Sequence, residues 1–319
     1  MASSWINVRV ASKRLVAEDI QAFDLVDAGG ARLPAYTAGA HIDVEVRPGL
    51  VRQYSLCEAP GDGHRYRIAV LRDPSSRGGS TAMHDEIVEG TEVRISAPRN
   101  HFALDADAAQ SILLAGGIGV TPLLCMADQL RREGRDFVLH YCARSRARTA
   151  FHDEVVAGLL APHVRFHFDE GPGAGRMDIE TVLAGPAPER HVYVCGPAGY
   201  IDWVFRQARD LGWKDAQLHR EYFSSSVTEP SGDDQAFDVR IASSGAVVTI
   251  PAGRTVTEVL AEHGVNIQVS CQQGVCGTCI TRVLEGEPDH RDLVLMGDEV
   301  DEFTPCCSRS RTPLLVLDL

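Results

Sequence analysis

The chain of 319 residues is 44% hydrophobic and 24% charged. That is enough apolar surface to exclude global disorder, and a length beyond one usual hydrophobic core, so two or three domains are expected. Its 31 basic and 44 acidic side chains leave a net charge of −13, which repels polyphosphate backbones and argues against a nucleic-acid partner. No run approaches the ~20 apolar residues that cross a bilayer, and the start MASSWINVRV has no basic stretch leading into an apolar one, so no membrane partner and a cytoplasmic location are expected.

From Trp5 to about Phe102 the pattern is short alternating runs, at 41–46, 66–72 and 91–96, punctuated by Gly and Pro. Period two predicts antiparallel strands, and several of them in about 100 residues predict a small barrel or sandwich. After Asp105 the texture changes. The apolar run 111–115 feeds a glycine turn, a helical stretch follows from Pro122 to about Arg132, and strands recur at 137–141, 164–168 and 191–195 with room for helices between them. Alternating strand and helix implies a parallel sheet with ligand sites at the strand C-termini. Small, polar and acidic residues up to Ala236 have a linker composition. Beyond them 237–241 and 246–250 read as a hairpin, 255–263 as a short helix and 314–319 as a last strand.

Charge and cysteine are both uneven. From Ser231 onward 14 acidic and 6 basic residues give −8, more than half of the excess. Of nine cysteines, Cys57, Cys125, Cys142 and Cys195 stand singly and five crowd the C-terminal part. An odd count so placed points to a reducing compartment with one metal or redox site. Cys271, Cys276 and Cys279 have the spacing C-x4-C-x2-C, with Cys306 and Cys307 27 and 28 residues further on. Three thiolates on one loop and one from a distant segment are what a plant-type [2Fe–2S] cluster requires. Gly274 and Gly277 let the backbone wrap and turn N–H groups toward the sulfurs. The competing readings are a structural zinc site, which more often uses paired short knuckles, and buried apolar cysteines, which seldom crowd so closely.

Three further motifs carry chemistry. Arg52, Tyr54 and Ser55 form R-x-Y-S; the plain alternative is wall packing and an exposed hydroxyl. Gly78, Gly79, Ser80 and Thr81 make a turn opening a helix, able to present N–H groups to a phosphate or to serve as a surface turn. Gly116, Gly117, Gly119, Thr121 and Pro122 follow a buried strand, and the glycines permit close approach to a pyrophosphate. The run differs from the fingerprint G-x-G-x-x-G. Cys195, Gly196 and Pro197 end a later strand. His84, His101, His152 and His167 show no ligand spacing.

In this order the motifs resemble the ferredoxin-NADP reductase superfamily, and the whole chain resembles the group of phthalate dioxygenase and vanillate demethylase reductases. Further points are Arg77 to Ser80, Asp289-His-Arg-Asp292 and the ending Leu-Val-Leu-Asp-Leu319. The resemblance implies a flavin-binding antiparallel β-barrel over 1–102, a nicotinamide-binding α/β domain with a parallel sheet over 103–226, a linker over 227–236 and a plant-type ferredoxin domain of α+β (β-grasp) fold over 237–319. It implies Arg52 on the flavin phosphate, Tyr54 on the isoalloxazine and Ser55 near the reactive nitrogen, with Ala69, Val70, Arg72 and the 78–81 turn in the same site. Cys195 would stand beside the nicotinamide, Phe223 near the flavin, with core packing as its plain alternative, and Cys306 would be the fourth cluster ligand with Cys307 in reserve. FMN rather than FAD, and NADH, are the implied cofactors.

Arg144, Arg146 and Arg148 could hold a 2′-phosphate and favour NADPH, whereas Asp169 and Glu170 could bond a ribose diol and repel it; NADH is favoured. The resulting expectation is a converter that accepts a hydride and exports single electrons. Its implied recipient is a Rieske-type terminal oxygenase acting on an aromatic acid or ether. The alternatives are a haem monooxygenase as recipient, a stand-alone flavin reductase and an iron-reporting sensor.

Overall fold

A computed structural model describes residues 5–74, 76, 78–223, 234–295 and 301–319. Arg77 and most of the expected linker, 227–233, lie outside the described residues. The chain forms two compact units, Met1–Phe223 and Ser224–Leu319.

In the first unit β1 (Ile6–Ala17), β2 (Ile20–Asp27), β3 (His41–Arg47), β4 (Leu50–Ser55), β5 (Tyr66–Leu71) and β6 (Glu92–Ile95) make an antiparallel sheet in the order β4-β3-β6-β1-β2-β5. Leu56, just past β4, bridges to Ile68 of β5, so the two outer strands meet and the sheet curls into a barrel. Val8, Val10, Phe23, Leu25, Ile42, Val44, Ile68 and Ile95 fill it. The short helix α1 (Gly79–Asp85) adds Ala82 and Met83 to that core.

The second layer is parallel: β7 (Gln110–Gly116), β8 (Asp136–Ala143), β9 (Val164–Phe168), β10 (Arg190–Gly196) and β11 (Leu218–Tyr222), in the order β11-β10-β7-β8-β9. Strand order reverses between β7 and β10, so the crevice of this sheet opens beyond their C-terminal ends, at Gly116 and Gly196. Helices α2 (Val120–Glu133), α3 (His152–Ala157), α4 (Ile179–Val182) and α5 (Ala198–Asp210) connect the strands. Apolar α2 buries Leu123, Met126 and Leu130 and stops where Gly134 turns left-handed at φ 68°. Ile20, Ala22, Ala69 and Phe102 of the barrel share one core with Leu123, Met126 and Leu139, which locks barrel and sheet together.

The second unit is a mixed sheet. β12 (Phe237–Ile241), β13 (Val247–Ile250), β14 (Thr281–Glu285), β16 (Glu302–Phe303) and β18 (Leu314–Leu317) run in the order β13-β12-β18-β14-β16, with only β12 and β18 parallel. The short pair β15 (Pro288–Asp289) and β17 (Arg309–Ser310) stands beside it. Helix α6 (Val256–Glu262) starts with a reciprocal cap, the Thr255 hydroxyl accepting from the Glu258 amide while the Glu258 carboxylate accepts from that of Thr255. It lays Val256, Val259 and Leu260 on the sheet. Among the described residues no helix is long and apolar enough to cross a membrane.

The turn between β7 and α2 packs backbone on backbone: a Cβ added at Gly119 would stand 2.4 Å from the carbonyl carbon and oxygen of Cys195. Gly119→Ala is therefore expected to destabilise the first unit by about 1–3 kcal/mol, the usual cost of overpacking, read as a lowered Tm in calorimetry. An unchanged Tm would show that the two turns can separate freely.

Candidate functional site

Strand β4 carries Arg52, Tyr54 and Ser55 in alternation, so Arg52 and Tyr54 share one face and Ser55 takes the other. Arg52 lies over the start of α1. A Cβ on Gly79 would come 2.5 Å from its Cγ, so only glycine lets the guanidinium stem cross the turn. Gly78 sits at φ 90°, and the Ser80 hydroxyl accepts from the Asp73 amide at 3.1 Å. A cation thus lies beside the N–H groups that open α1, at Gly79 to Thr81, a fit for one phosphate. Ala69 and Val70 stand on the neighbouring β5, and the Val70 carbonyl lies 2.9 Å from His84 Nε2, tying α1 to that strand. Arg72 is engaged elsewhere, donating to Asp85 at 2.9 Å.

At the ends of β7 and β10 two glycine turns interlock. Gly117 is left-handed at φ 56°. A Cβ on Gly196 would sit 3.0 Å from the Gly116 Cα, and one on Gly116 would sit 3.0 Å from Pro197 Cδ. Thr121 and Pro122 lie in the first turn of α2, where the Thr121 hydroxyl donates to the Ile118 carbonyl at 3.1 Å. Cys195 is fully buried, and burial, then the neighbouring Glu221, pushes its thiol well up.

Barrel and sheet meet on a residue that sequence reasoning passed over. Glu221 on β11 pairs in register with Cys195. Ser55 Oγ donates to its Oε2 at 3.2 Å, and His41 Nδ1 lies 3.9 Å from its Oε1. Burial pushes the Glu221 carboxyl up to about 8, a rise that the Ser55 hydrogen bond only partly offsets. The expected hydroxyl and thiol thus converge on one buried, protonatable carboxyl. Glu221 lies on the edge strand of the parallel sheet, and neither it nor His41 falls in a motif whose spacing marks it. Asp169 is exposed past β9 with Arg176 at 3.9 Å, and Phe223 is 37% exposed; neither touches this junction by a hydrogen bond or ion pair that we observe. A cavity of about 650 Å³ between β1 and the loops after β8 and β9 is lined by Arg14, Ser145, Arg146, Thr149, Asp153 and Glu170, apart from Ser55 and Cys195.

In the second unit all five cysteines of the C-terminal group are buried. The loop wraps through left-handed residues Gln272, Gly274 and Gly277. Backbone N–H groups reach the sulfurs, Gln273 to Cys271 at 3.4 Å and Thr278 to Cys276 at 3.5 Å. Cys279 and Cys306 sulfurs lie 3.2 Å apart, and contacts from Cys276 and Cys306 pull the Cys271 thiol down while pushing their own up. Among the described residues no three His, Cys, Asp or Glu side chains surround one point as ligands of a single ion. A binuclear cluster asks instead for two pairs of sulfurs, and the contacts of Cys271 with Cys276 and of Cys279 with Cys306 are of that kind. Cys307 also packs against the loop, and its sulfur lies 3.5 Å from Thr304 Oγ1 and 3.8 Å from Ser308 Oγ.

A flavin-reductase-like unit joined to a plant-type ferredoxin unit defines the class, and the comparisons with known proteins agree. Residues 239–311 match the family described as "2Fe-2S iron-sulfur cluster binding domain". The chain is 50% identical over 317 residues to the vanillate O-demethylase oxidoreductase of Pseudomonas sp. (strain HR199 / DSM 7063), covering 98% of this chain and 100% of that one. It is 42% identical over 319 residues to the phthalate dioxygenase reductase of Burkholderia cepacia, covering 99% and 98%. A solved phthalate dioxygenase reductase, described as a modular structure for electron transfer from pyridine nucleotides to [2Fe–2S], superposes with TM-score 0.80 at 41% identity over 99% of this chain and 98% of that one. An intact type IV self-sufficient cytochrome P450 monooxygenase gives TM-score 0.85 at 38% identity over 99% of this chain and 41% of that one. The chain belongs to the family of oxygenase reductases that includes the vanillate O-demethylase and phthalate dioxygenase reductases, and is an oxidoreductase with a [2Fe–2S] domain.

Glu221 gives a pH signature. A carboxyl whose folded value is raised binds its proton more tightly in the folded chain. Its contribution is therefore present below the ordinary carboxylate range and is lost as pH rises through about 8, at up to about 1.4 kcal/mol per pH unit. Glu221→Gln removes that slope. The Tm of the parent should fall relative to the variant between pH 5 and 8.5, and parallel Tm profiles would count against a buried neutral carboxyl.

Proposed function

We propose that this chain takes a hydride from NADH onto bound FMN and delivers electrons singly, by way of its [2Fe–2S] cluster, to a Rieske-type terminal oxygenase acting on an aromatic acid or ether. The convergence of Ser55 and Cys195 on Glu221 carries this reading, because it brings the flavin motif and the nicotinamide motif to one buried point. When bound, flavin accepts electrons in pairs and yields them singly, and the cluster holds one. Arg52 and the amides of Gly79, Ser80 and Thr81 hold the FMN phosphate, while Tyr54, Ala69 and Val70 supply the wall of its ring. Ser55 orients the reacting edge, and Glu221 keeps a proton within reach of Ser55 Oγ. Gly116, Gly117, Gly119, Thr121 and Pro122 admit the NADH pyrophosphate, Cys195, Gly196 and Pro197 border the nicotinamide, and Asp169 faces the ribose. Phe223 closes the flavin edge. Cys271, Cys276, Cys279 and Cys306 hold the cluster.

Electrostatics favour NADH. Arg146 is paired with Asp153 at 3.0 Å, and Arg148 with Glu18 at 3.0 Å and Asp19 at 3.5 Å. A 2′-phosphate would have to displace those carboxylates, with Glu170 lining the same cavity as Arg146 and Asp153. Asp153→Ala should raise kcat/KM for NADPH relative to NADH by about two- to five-fold, the size of an exposed ion pair; an unchanged ratio would leave Arg146 out of coenzyme selection.

The likeness to a self-sufficient cytochrome P450 supports a haem monooxygenase as second acceptor class. Purified chain should release FMN on acid treatment. Cys306→Ser should lose the iron-dependent visible bands and electron delivery to a Rieske protein while keeping NADH–ferricyanide activity, and Cys307→Ser should keep all of them. The reverse pattern would move the fourth ligand to Cys307, and reduction of a haem protein but of no Rieske protein would select the second acceptor.

A further inference from the structure

Asp292 is the most enclosed acidic side chain near the thiols, with a side-chain exposure of 0%. Its carboxylate accepts four hydrogen bonds. Oδ1 takes the backbone N–H groups of Val294 at 2.9 Å and Leu295 at 2.6 Å. Oδ2 takes the hydroxyls of Thr304 at 2.9 Å and Ser308 at 3.3 Å. Oδ1 thus faces two amides, which can only donate, and Oδ2 faces two hydroxyls that also hydrogen-bond each other at 2.6 Å. The neighbouring cations point elsewhere: Arg291 binds Asp234 and Asp289. His290 Nδ1 stands 3.6 Å from Oδ2.

The carboxylate is also built into the wall of the cysteine loop. A Cβ on Gly274 would meet Asp292 Cβ at 2.7 Å and Cys307 Sγ at 2.6 Å, so both residues press on the loop backbone midway between Cys271 and Cys276. Leu293 N donates to the Gly274 carbonyl at 2.9 Å. Thr304 Oγ1, bonded to Asp292, lies 3.5 Å from Cys307 Sγ, one residue from Cys306. A fixed negative charge is thus held, dry and hydrogen-bonded, against the segments that carry three of the four ligands.

We propose that Asp292 is a positioning residue that sets the cluster's reduction potential: its charge opposes the added electron, and its hydrogen bonds hold the Thr304–Ser308 segment against the loop. Adding one electron makes the cluster one unit more negative with no proton taken up, so a nearby buried anion disfavours the reduced form. This inference rests on the cluster assignment above. It uses no coordination by Asp292.

The test is a mediated redox titration of the full-length holoprotein, following visible circular dichroism and the electron paramagnetic resonance of the reduced form. Those spectra report whether the cluster is present, and so test the ligand assignment separately from the potential. Asp292→Asn, nearly isosteric, should keep the spectra and shift the one-electron equilibrium about ten-fold toward the reduced form, which is about 59 mV. Asp292→Glu, which restores the charge, should return most of that shift. A parent-like potential in the Asn variant, or equal shifts in both, overturns the proposal. If Asp292→Asn loses the cluster, Ser308→Ala is read instead. It removes one hydroxyl that damps the carboxylate and should move the equilibrium several-fold toward the oxidised form; no movement there overturns the proposal as well.

Discussion

The first unit depends on a place where two backbones touch. Between β7 and α2, and again after β10, glycine stands where any side chain would collide with the facing carbonyl, and Gly119 against Cys195 is the tightest of these contacts. The end of β10 is thereby held to the start of α2, at the point where strand order reverses. With that end fixed, Cys195 is buried beside Glu221, and the shared core of barrel and sheet brings Ser55 to the same carboxyl. A looser turn would leave three groups from β4, β10 and β11 on separate elements, each with an ordinary environment.

Three buried charged or chargeable groups show how differently desolvation can be met. Glu221 has one hydroxyl donor and burial dominates, so its protonated form is favoured up to about pH 8. Asp292 has two amides and two hydroxyls, which stabilise the anion in place. Arg309, 3% exposed, donates to the carbonyls of Arg254, Gln235 and Pro251 and lies over the Phe237 ring. The number and kind of partners, more than depth, decide which form each group takes.

What was legible in the sequence was chemistry confined to a short stretch. The C-x4-C-x2-C loop, the R-x-Y-S strand and both glycine turns are local patterns, and each lies in the element expected of it; the helix expected at 122–132 spans Val120–Glu133, and the strands at 164–168 and 237–241 match residue for residue. The β1–β2 hairpin was hidden because its pairing register shifts twice, between Val10 and Ser12 and between Leu15 and Ala17, and each shift breaks the period of two. Glu221 and His41 were missed for another reason. They matter through long-range partners, Glu221 through Ser55, 166 residues away, and His41 through Glu221 on another sheet, a relation that no spacing rule encodes. Of the arginines after β8, Arg148 is paired with Glu18 and Asp19, remote in sequence, and Arg146 with Asp153.

The contrast between Glu221 and Asp292 matches the two kinds of electron traffic. Hydride transfer moves charge together with a proton equivalent, and the flavin-side junction keeps a carboxyl that is neutral at physiological pH beside a hydroxyl able to pass a proton on. Single-electron transfer at the iron–sulfur site moves charge alone. There the nearby carboxylate is held by two amides and by hydroxyls, so an arriving electron meets a charge fixed in position. A carboxyl like Glu221 placed in the second unit would tie the cluster's potential to pH over the physiological range, and a fully bonded carboxylate in the first would leave no proton near Ser55. Each unit thus gives its acid a different setting, a single hydroxyl donor at Glu221 and two amides with hydroxyls at Asp292.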